Sequence, residues 1–162
     1  MTTVVPAKRR AILIFMLNRS GVLNKISMLI RRKMYNVETI TACTTPQSGI
    51  SRMTLTLRED SGQKMRQVVK QIEKMTEVIS ARELDIDQSF WREVAIVKFL
   101  ADDATLEHLK DTHVFEILDR QSQEVCVAQI AGTSQMIDAF LQVLGERRVL
   151  EVARSGFTAL EK

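Results

Sequence analysis

Hydrophobic residues in the first part of the chain follow two different spacings. The run RRAILIFML (9–17) is short, apolar and bounded by charged and turn residues, which predicts a buried strand. From Ser20 the spacing becomes that of an amphipathic helix, with apolar positions at Val22, Ile26, Leu29, Ile30 and Met34. Asn18 or Ser20 is in position to cap this helix.

The rest of residues 1–86 completes one unit of strands and helices. Stretches rich in Thr, Val and Ile predict strands, and clusters of Pro, Gly and Ser predict turns. The predicted elements are a strand at 35–45, a turn at 46–49, a strand at 50–57, a loop at 59–62, a helix with Met65, Val68, Val69, Ile72 and Met75 on one face, and a strand at 78–86. The order is therefore β-α-β-β-α-β.

The second half of the sequence repeats this order. The predicted elements are a strand at 92–100, a helix at 103–112 capped by Asp102 or Asp103, strands at 113–120 and 124–132, a helix at 133–145 capped by Thr133 or Ser134 and ended by Gly145, and a closing strand at 148–160. The repeat predicts an α+β protein with two ferredoxin-like βαββαβ domains. We assign residues 1–86 to the first domain and residues 87–162 to the second, joined near 87–90.

Charge is distributed unevenly between the two predicted domains. The 162 residues carry a net charge of +3, but residues 1–85 hold 15 Lys and Arg against 7 Asp and Glu, whereas residues 86–162 hold 8 against 13. This reversal fits two units with different surfaces. It is compatible with an anionic partner for the first half and equally with two differently solvated surfaces.

Cysteine content and hydropathy bear on the compartment. Cys43 and Cys126 lie far apart and form neither a disulfide framework nor a metal knuckle, which suits a reducing compartment. No apolar run approaches the ~18 residues that a membrane span needs. The basic and apolar start is similar to a signal peptide, but it runs into NRSG (18–21) without a small-residue cleavage site. We expect a cytoplasmic protein with no membrane partner.

No arrangement of residues predicts a catalytic centre. His108 and His113 surround one predicted helix end without a carboxylate at zinc-enzyme spacing, and we expect a solvated pair and no metal site. The G-x-S-x-G motif is absent, and neither cysteine lies in a nucleophile motif. The acidic pair Asp102 and Asp103 is better explained as a helix cap than as paired carboxylates in a cleft. We therefore expect a protein that is not an enzyme by itself.

The junction of strand, NRSG (18–21) and helix is the best candidate for a binding site. A helix start offers amide N–H groups without intrahelical acceptors and a partial positive charge, so it attracts anions. Gly21 removes a side chain that would block the approach, and the Asn18 amide can donate and accept hydrogen bonds. Phosphate-loop and dinucleotide fingerprints are missing. The junction is either a site for a small carboxylate or a tight turn that begins a capped helix.

The same order of elements belongs to RNA-recognition domains, which stack bases on aromatic side chains of their central strands. The corresponding strands here, 9–17 and 49–57, offer only Phe15. The basic cluster at 31–33 has no aromatic residues interleaved. We therefore expect no nucleic-acid partner, despite the basic first half.

Five sequence blocks together carry a family resemblance. LNRSGVLNKI (17–26), YNVETITA (35–42), SRMTLTL (51–57), AGTSQMIDAF (131–140) and EVARSGFTAL (151–160) resemble the small, regulatory subunits of acetolactate synthase (acetohydroxyacid synthase). The first three blocks are similar to the family's N-terminal ACT domain, and the last two to its C-terminal ACT-like domain. A single NxSG would be a weak signal, whereas five blocks in the expected order span essentially the whole chain.

The resemblance implies a regulatory function exercised on another chain. Such subunits bind and activate a catalytic large subunit, which uses thiamine diphosphate, magnesium and FAD to condense pyruvate with pyruvate or 2-oxobutyrate. The small subunit itself holds no cofactor. It transmits feedback inhibition by a branched-chain amino acid, usually valine. In the homodimer two sheets join side by side, and the effector lies between the loop after the first strand of one copy and the second strand of the other.

Carried onto this sequence, the resemblance implies effector contacts from that loop and that strand. The loop residues are Asn18, Ser20, Gly21 and Val22, and the strand residues are Asn36, Thr41 and Cys43. Backbone N–H groups at 20–22 then bind the effector's carboxylate, and the Asn36 side-chain oxygen binds its amino group. Val22 and neighbouring strand residues form an apolar wall for its aliphatic side chain. On this reading, Gly21 faces an amino-acid carboxylate.

Two positions depart from the family pattern. Many members have Gly where Met34 stands, and a small residue or Gly where Cys43 stands. The choice of effector is therefore open, as are the isozyme served and the stoichiometry. The alternative to a subunit of acetolactate synthase is a stand-alone ACT-type amino-acid sensor without an enzyme partner.

Overall fold

The computed structural model describes residues 8–85, 87–121 and 124–162. The chain divides into two compact units: the first contains the described residues up to Phe90 together with Ala159–Lys162, and the second contains Trp91–Thr158. Each unit has its own apolar core.

The first unit is an antiparallel sheet with two helices on one face. Its elements are β1 (Arg9–Leu17), α1 (Val22–Arg32), β2 (Val37–Thr44), β3 (Ile50–Arg58), α2 (Gly62–Glu73) and β4 (Val78–Leu84). The strand order is β2-β3-β1-β4, so β2 and β4 are the edges. Because β1 and β2 both run antiparallel to β3, the end of β2 lies at the same side of the sheet as the loop that follows β1.

Alternation along the central strands selects the side chains that reach the helices. The buried cluster of the first unit consists of Ile12, Ile14, Met16, Val22, Ile26, Ile30, Met53, Leu55, Leu57, Met65, Val68, Ile72 and Ala81. The four-residue spacing of Val22, Ile26 and Ile30 forms the buried stripe of α1. Full burial of such side chains contributes about 1.5–3 kcal/mol each, which fixes both helices against one side of the sheet.

The last four residues of the chain belong to the first unit. Ala159 is buried, and its carbonyl accepts a hydrogen bond from the Arg52 guanidinium on β3. Glu161 is paired with Arg82 on β4. Because Arg52 alternates with the core residue Met53, these contacts hold the C-terminus on the sheet face opposite the helices.

The second sheet follows the same plan. Its elements are β5 (Ser89–Leu100), α3 (Asp103–Thr112), β6 (Glu116–Arg120), β7 (Val125–Gly132), α4 (Ser134–Leu144), β8 (Val149–Arg154) and β9 (Thr158–Glu161). The strand order is β6-β7-β5-β8, and β9 also pairs with β5. In the core, the rings of Phe99 and Phe140 meet edge to face with centroids 6.0 Å apart.

The predicted α+β class with two ferredoxin-like βαββαβ units is confirmed, but the closing strand predicted at 148–160 is wrong in detail. The chain forms two strands there, β8 and β9, because it turns at Gly156, whose φ of +77° is left-handed. Before the turn, the Ser155 N–H donates to the Val94 carbonyl at 2.9 Å, and the Ser155 hydroxyl accepts from the Val94 N–H at 3.0 Å.

The helix starts differ in how they are capped. Ser61, Asp102 and Thr133 each accept a hydrogen bond from the backbone N–H three residues on, which caps α2, α3 and α4. In α1 the N-cap is Gly21, and no side chain caps the first turn. The prediction that Asn18 or Ser20 caps α1 is therefore wrong, because the left-handed Gly21 occupies the cap position.

The end of α1 contains a left-handed residue that is not glycine. Met34 has a φ of +59°. Its N–H donates to the Arg31 carbonyl at 2.9 Å, and the Tyr35 N–H donates to the Ile30 carbonyl at 3.4 Å. This pair of bonds forms a Schellman motif, in which the left-handed position is usually Gly. The backbone conformation thus accounts for the glycine that the resemblance leads us to expect at residue 34.

We predict that Met34→Gly stabilises the protein. A left-handed non-glycine residue costs about 1–2 kcal/mol, and the Met34 side chain is 90% exposed, so its removal loses little packing. Glycine also makes the unfolded chain more flexible, which offsets roughly 0.5–1 kcal/mol. The free energy of unfolding in urea should rise by about 0.5–1 kcal/mol. The matched control, Met28→Gly inside α1, should lower it by about 1 kcal/mol, and equal losses for both variants would contradict the explanation.

A carboxylate on β2 bridges two arginines of neighbouring strands. Arg9 and Arg58 lie directly opposite each other in the β1–β3 register, where like charges repel. Glu38 accepts hydrogen bonds from the Arg9 Nε at 2.7 Å and the Arg58 Nε at 2.5 Å. Partial burial acts to raise the pKa of Glu38, but the two arginine hydrogen bonds outweigh it and hold the pKa below its usual value.

We predict that Glu38→Gln lowers the free energy of unfolding at pH 7 by about 1 kcal/mol. A carboxylate whose pKa is lowered by folding stabilises the folded state above its unfolded pKa of about 4.3, and this contribution is lost as the pH falls through the lower folded value. Urea titrations should therefore show the gap between parent and variant closing between about pH 5 and pH 3. A gap that stays constant over this range would rule out the ionised carboxylate as its source.

Candidate functional site

The loop 18–21 is fixed at one end of the first sheet by two backbone hydrogen bonds. The Asn18 N–H donates to the Gly49 carbonyl at 2.8 Å, and the Leu17 N–H donates to the Glu77 carbonyl at 2.8 Å. Gly49 ends the turn between β2 and β3, and Glu77 lies in the connection from α2 to β4. The loop is thus held between two neighbouring connections, while its own residues remain exposed.

The backbone conformation at residue 21 favours glycine, and the space around Gly21 is open. Its φ of +84° favours glycine, and an added Cβ would meet no atom within 4 Å. The first intrahelical bond runs from the Lys25 N–H to the Gly21 carbonyl at 3.0 Å. Among the described residues, the N–H groups of Ser20, Gly21 and Leu23 have no acceptor. The start of α1 therefore offers amide donors and a partial positive charge to an anion.

The side chains around the loop add a positive charge. Lys25 is paired with Glu77, and its hydrogen bond, together with the nearby charge of Arg19, holds the pKa of Glu77 below its usual value. The first turn of α1 contains no acidic residue. Because Lys25 neutralises Glu77, Arg19 leaves the loop with an excess positive charge. Sequence reasoning passed over Arg19, although it lies inside the NRSG motif.

Val22 contributes to this loop only through its backbone. Its side chain is 3% exposed and packs in the core with Ile26 and Ile30. Its N–H lies at the loop, 3.4 Å from the Arg19 carbonyl. The structure therefore does not place the Val22 side chain where it could form an apolar wall for an effector.

An apolar cavity opens beside β2 on the helix side of the sheet. Its volume is about 470 Å³, and aliphatic side chains of α1, β2 and β3 line it together with Tyr35 and Asn36. Ile40 is 40% exposed and Leu23 is 46% exposed, so apolar surface remains in contact with solvent at its rim. A space of this size fits a small-molecule site. Sequence reasoning singled out Asn36 but not Tyr35 or Ile40, although β-strand alternation puts Ile40 on the core face.

Thr41 and Cys43 lie on the other face of the sheet. In the β2–β3 register, Thr41 is opposite Thr54 and Cys43 is opposite Arg52, whereas Ile40 is opposite the core residue Leu55. Cross-strand neighbours share a face, so Thr41 and Cys43 point away from the helices and the cavity.

A single chain does not bring the predicted effector residues together. Asn36 directly precedes β2, whereas the loop 18–21 lies at the side of the sheet where β2 ends. At ~3.3 Å per residue, an eight-residue strand separates these two places by roughly 25 Å. Each chain therefore carries two halves of the predicted site, one at each end of its edge strand.

In residues 8–85, 87–121 and 124–162, no group of three or more His, Cys, Asp and Glu could hold a metal ion. The His113 Nδ1 lies 2.9 Å from the Thr112 hydroxyl, and its ring packs edge-on against Phe140. No helix in the described part of the chain has the length and apolar character to cross a membrane.

Family models match both halves of the chain. Residues 12–80 match an AHAS small subunit-like ACT domain, and residues 92–162 match the family described as small subunit of acetolactate synthase.

Individual relatives match over nearly the whole length. The acetolactate synthase isozyme 3 small subunit of Salmonella typhimurium is 33% identical, over 95% of this chain and 96% of its own length. The acetolactate synthase small subunit of Bacillus subtilis is 29% identical, over 95% and 91%. The crystal structure of the acetolactate synthase small subunit from Thermotoga maritima matches with a TM-score of 0.87 and 25% identity, over 96% of this chain and 98% of that chain. The chain therefore belongs to the acetolactate synthase small-subunit family, and it is a regulatory subunit rather than a catalytic one.

Proposed function

We propose that a homodimer of this chain activates the catalytic large subunit of acetolactate synthase and inhibits it when a branched-chain amino acid, valine first, is bound. The large subunit supplies the chemistry with thiamine diphosphate, magnesium and FAD, and this chain holds no cofactor. Family membership supports the choice of partner. Cys43 and Cys126 are both free thiols, which agrees with action in the cytoplasm.

The division of the site between the two ends of β2 is the observation that carries the proposal. β2 is the last strand of the first sheet, so its outer edge can pair with another strand. Antiparallel pairing with the β2 of a second copy reverses one strand relative to the other. It brings Asn36 and the cavity of one copy towards the loop 18–21 of its partner. Two equivalent effector sites result from one twofold axis.

The chemistry of the two halves suits an aliphatic amino acid. The carboxylate binds the N–H groups of Ser20 and Gly21, with Arg19 adding a positive charge. The Asn36 side-chain oxygen of the partner copy accepts from the ammonium group. Tyr35 and Ile40, which line the cavity with Asn36, form an apolar wall for the side chain. Thr41 and Cys43 lie on the sheet face opposite the cavity. They therefore influence the effector site through the pairing of β2 and not by contact with the effector.

We predict that Gly21→Asp makes the reconstituted holoenzyme resistant to valine while activation persists. The new carboxylate competes for the same amide donors and repels the ligand, since two charges ~4 Å apart interact by about 4 kcal/mol at an effective dielectric of 20. The half-inhibition concentration should rise by about a hundredfold or more. Titrating valine, leucine and isoleucine against parent and variant holoenzymes measures it.

A matched variant separates charge from backbone strain. Gly21→Asn has the same size and the same left-handed strain without the charge, so it should be less resistant than Gly21→Asp. Unaltered inhibition of a well-folded Gly21→Asp holoenzyme would show that Gly21 does not face the effector. Valine binding by the parent without any effect on the large subunit would favour a stand-alone sensor.

Mixing two resistant variants tests whether the site is shared between copies. We predict that Asn36→Ala also weakens inhibition, because it removes the acceptor for the ammonium group. In a heterodimer of Gly21→Asp with Asn36→Ala, one site carries both changes and the other carries neither. Unfolding and refolding an equal mixture should therefore restore tight valine binding at about one site in each heterodimer, measured by calorimetry. If both halves came from the same copy, mixing would restore no tight binding.

A further inference from the structure

Most cations on the sheet of the first unit and at its ends are paired. The ion pairs are Arg9 and Arg58 with Glu38, Arg10 with Glu83, Lys25 with Glu77, Lys64 with Glu59, and Arg82 with Glu161. These pairs neutralise much of the charge in that region. The positive excess of residues 1–85 must therefore be concentrated elsewhere on the unit.

That excess lies on the two helices and their C-terminal ends. Among the described residues, a set of exposed cations has no carboxylate partner, namely Arg31, Arg32, Lys33, Arg66, Lys70 and Lys74. Arg31 also lines the cavity beside β2, so we call the other five residues the basic face. Across 22–33 and 62–74, the only acidic residue in the sequence is Glu73.

The basic face is one surface rather than two separate clusters. Arg66, Lys70 and Lys74 recur every four residues, on the side of α2 away from its buried residues. A cavity of about 230 Å³ between the helices is lined from α1 by Arg32 and Lys33 and from α2 by Lys74. Cations of both helices therefore border the same space.

Folding alone does not account for this concentration of charge. Cations near a helix C-terminus complement the helix dipole, which explains Arg31 and Arg32 in the last turn of α1 and Lys70 in that of α2. The dipole does not explain Arg66, which lies in the N-terminal half of α2. Like charges without counter-charges repel one another and oppose the compact state. An acidic surface laid over the basic face would relieve this repulsion.

We propose that the basic face is a docking surface for an acidic patch of the catalytic large subunit. The inference rests on the proposed function, which supplies the partner. Antiparallel β2 pairing places the helices of both copies on the same side of the joined sheet, so the dimer presents the basic face twice. Arg32, Lys33, Arg66, Lys70 and Lys74 do not line the cavity beside β2, so docking on them leaves that half of the effector site accessible.

A protein partner fits the basic face better than a nucleic acid does. Binding of single strands combines cations with aromatic side chains on which bases stack. Residues 22–33 and 62–74 contain no aromatic residue. Carboxylates of a protein surface need only the cations, and the attraction is strongest at low salt because ions screen it over about 8 Å at physiological ionic strength.

The test compares two full-length variants that each lose three positive charges. The first carries Arg32→Gln, Lys33→Gln and Lys74→Gln on the basic face. The control carries Arg92→Gln, Lys110→Gln and Arg147→Gln, which are exposed cations of the second unit. Affinity for the large subunit is measured by calorimetry at several salt concentrations. The affinity of each small subunit alone for valine is also measured, because it does not depend on docking to the large subunit.

We expect the first variant to bind the large subunit on the order of tenfold more weakly at low salt, with a flatter salt dependence. The control and the valine affinities should change less than twofold. Equal large-subunit binding by both variants would overturn this inference and leave the proposed function intact. If the parent does not bind the large subunit at all, both fail. Salt-dependent binding of single-stranded RNA that only the first variant loses, with large-subunit binding unchanged, would reassign the face to nucleic acid and overturn the proposal.

Discussion

The unpaired edge of β2 is the constraint on which the interpretation of this protein depends. A strand at the edge of a sheet leaves a row of backbone N–H and C=O groups without a strand neighbour, and proteins cover, blunt or pair such an edge. Here the described residues of the chain place no strand on the outer side of β2, and an apolar cavity opens next to it. The candidate effector residues lie at opposite ends of this strand. In the proposed dimer, one hydrogen-bonding requirement therefore links the pairing of β2 to the formation of the effector site.

Charged side chains are arranged differently on the sheet and on the helices of the first unit. Glu38 between Arg9 and Arg58 shows the pattern of the sheet, where carboxylates neutralise facing arginines. On the helices Lys25 and Lys64 are paired, but the cations of the basic face have no carboxylate partner among the described residues, so they contribute charge to the surface and little to the fold. A regulatory subunit needs a surface that senses its effector and another that contacts its target. The separation of edge strand and basic face is consistent with that division.

Residues with a left-handed backbone lie at both ends of α1. They show why a glycine in a sequence can reflect either the backbone conformation or a function. Gly21 precedes the helix with a φ of +84° and Met34 follows it with a φ of +59°. A glycine at either position is favoured by the backbone alone. At Gly21 the open space and the free amide donors add a reason that involves a ligand. At Met34 the hydrogen bonds of the Schellman motif are enough to explain a preference for glycine. The methionine found there is therefore expected to affect the stability of the fold.

The sequence by itself determined the order of elements, the two βαββαβ units and the prominence of the NRSG loop. These follow from spacings of two and 3.6 residues and from turn chemistry, which are properties of neighbouring residues. Tertiary structure decided that Val22 turns its side chain into the core and that Thr41 and Cys43 face away from the cavity. It also decided that Asn36 lies far from the loop in the same chain, and that Arg9 and Arg58 share Glu38 while Arg32 and Lys74 have no such partner. These outcomes depend on strand register and helix packing between residues distant in sequence, and local periodicity contains no information about which distant residues meet.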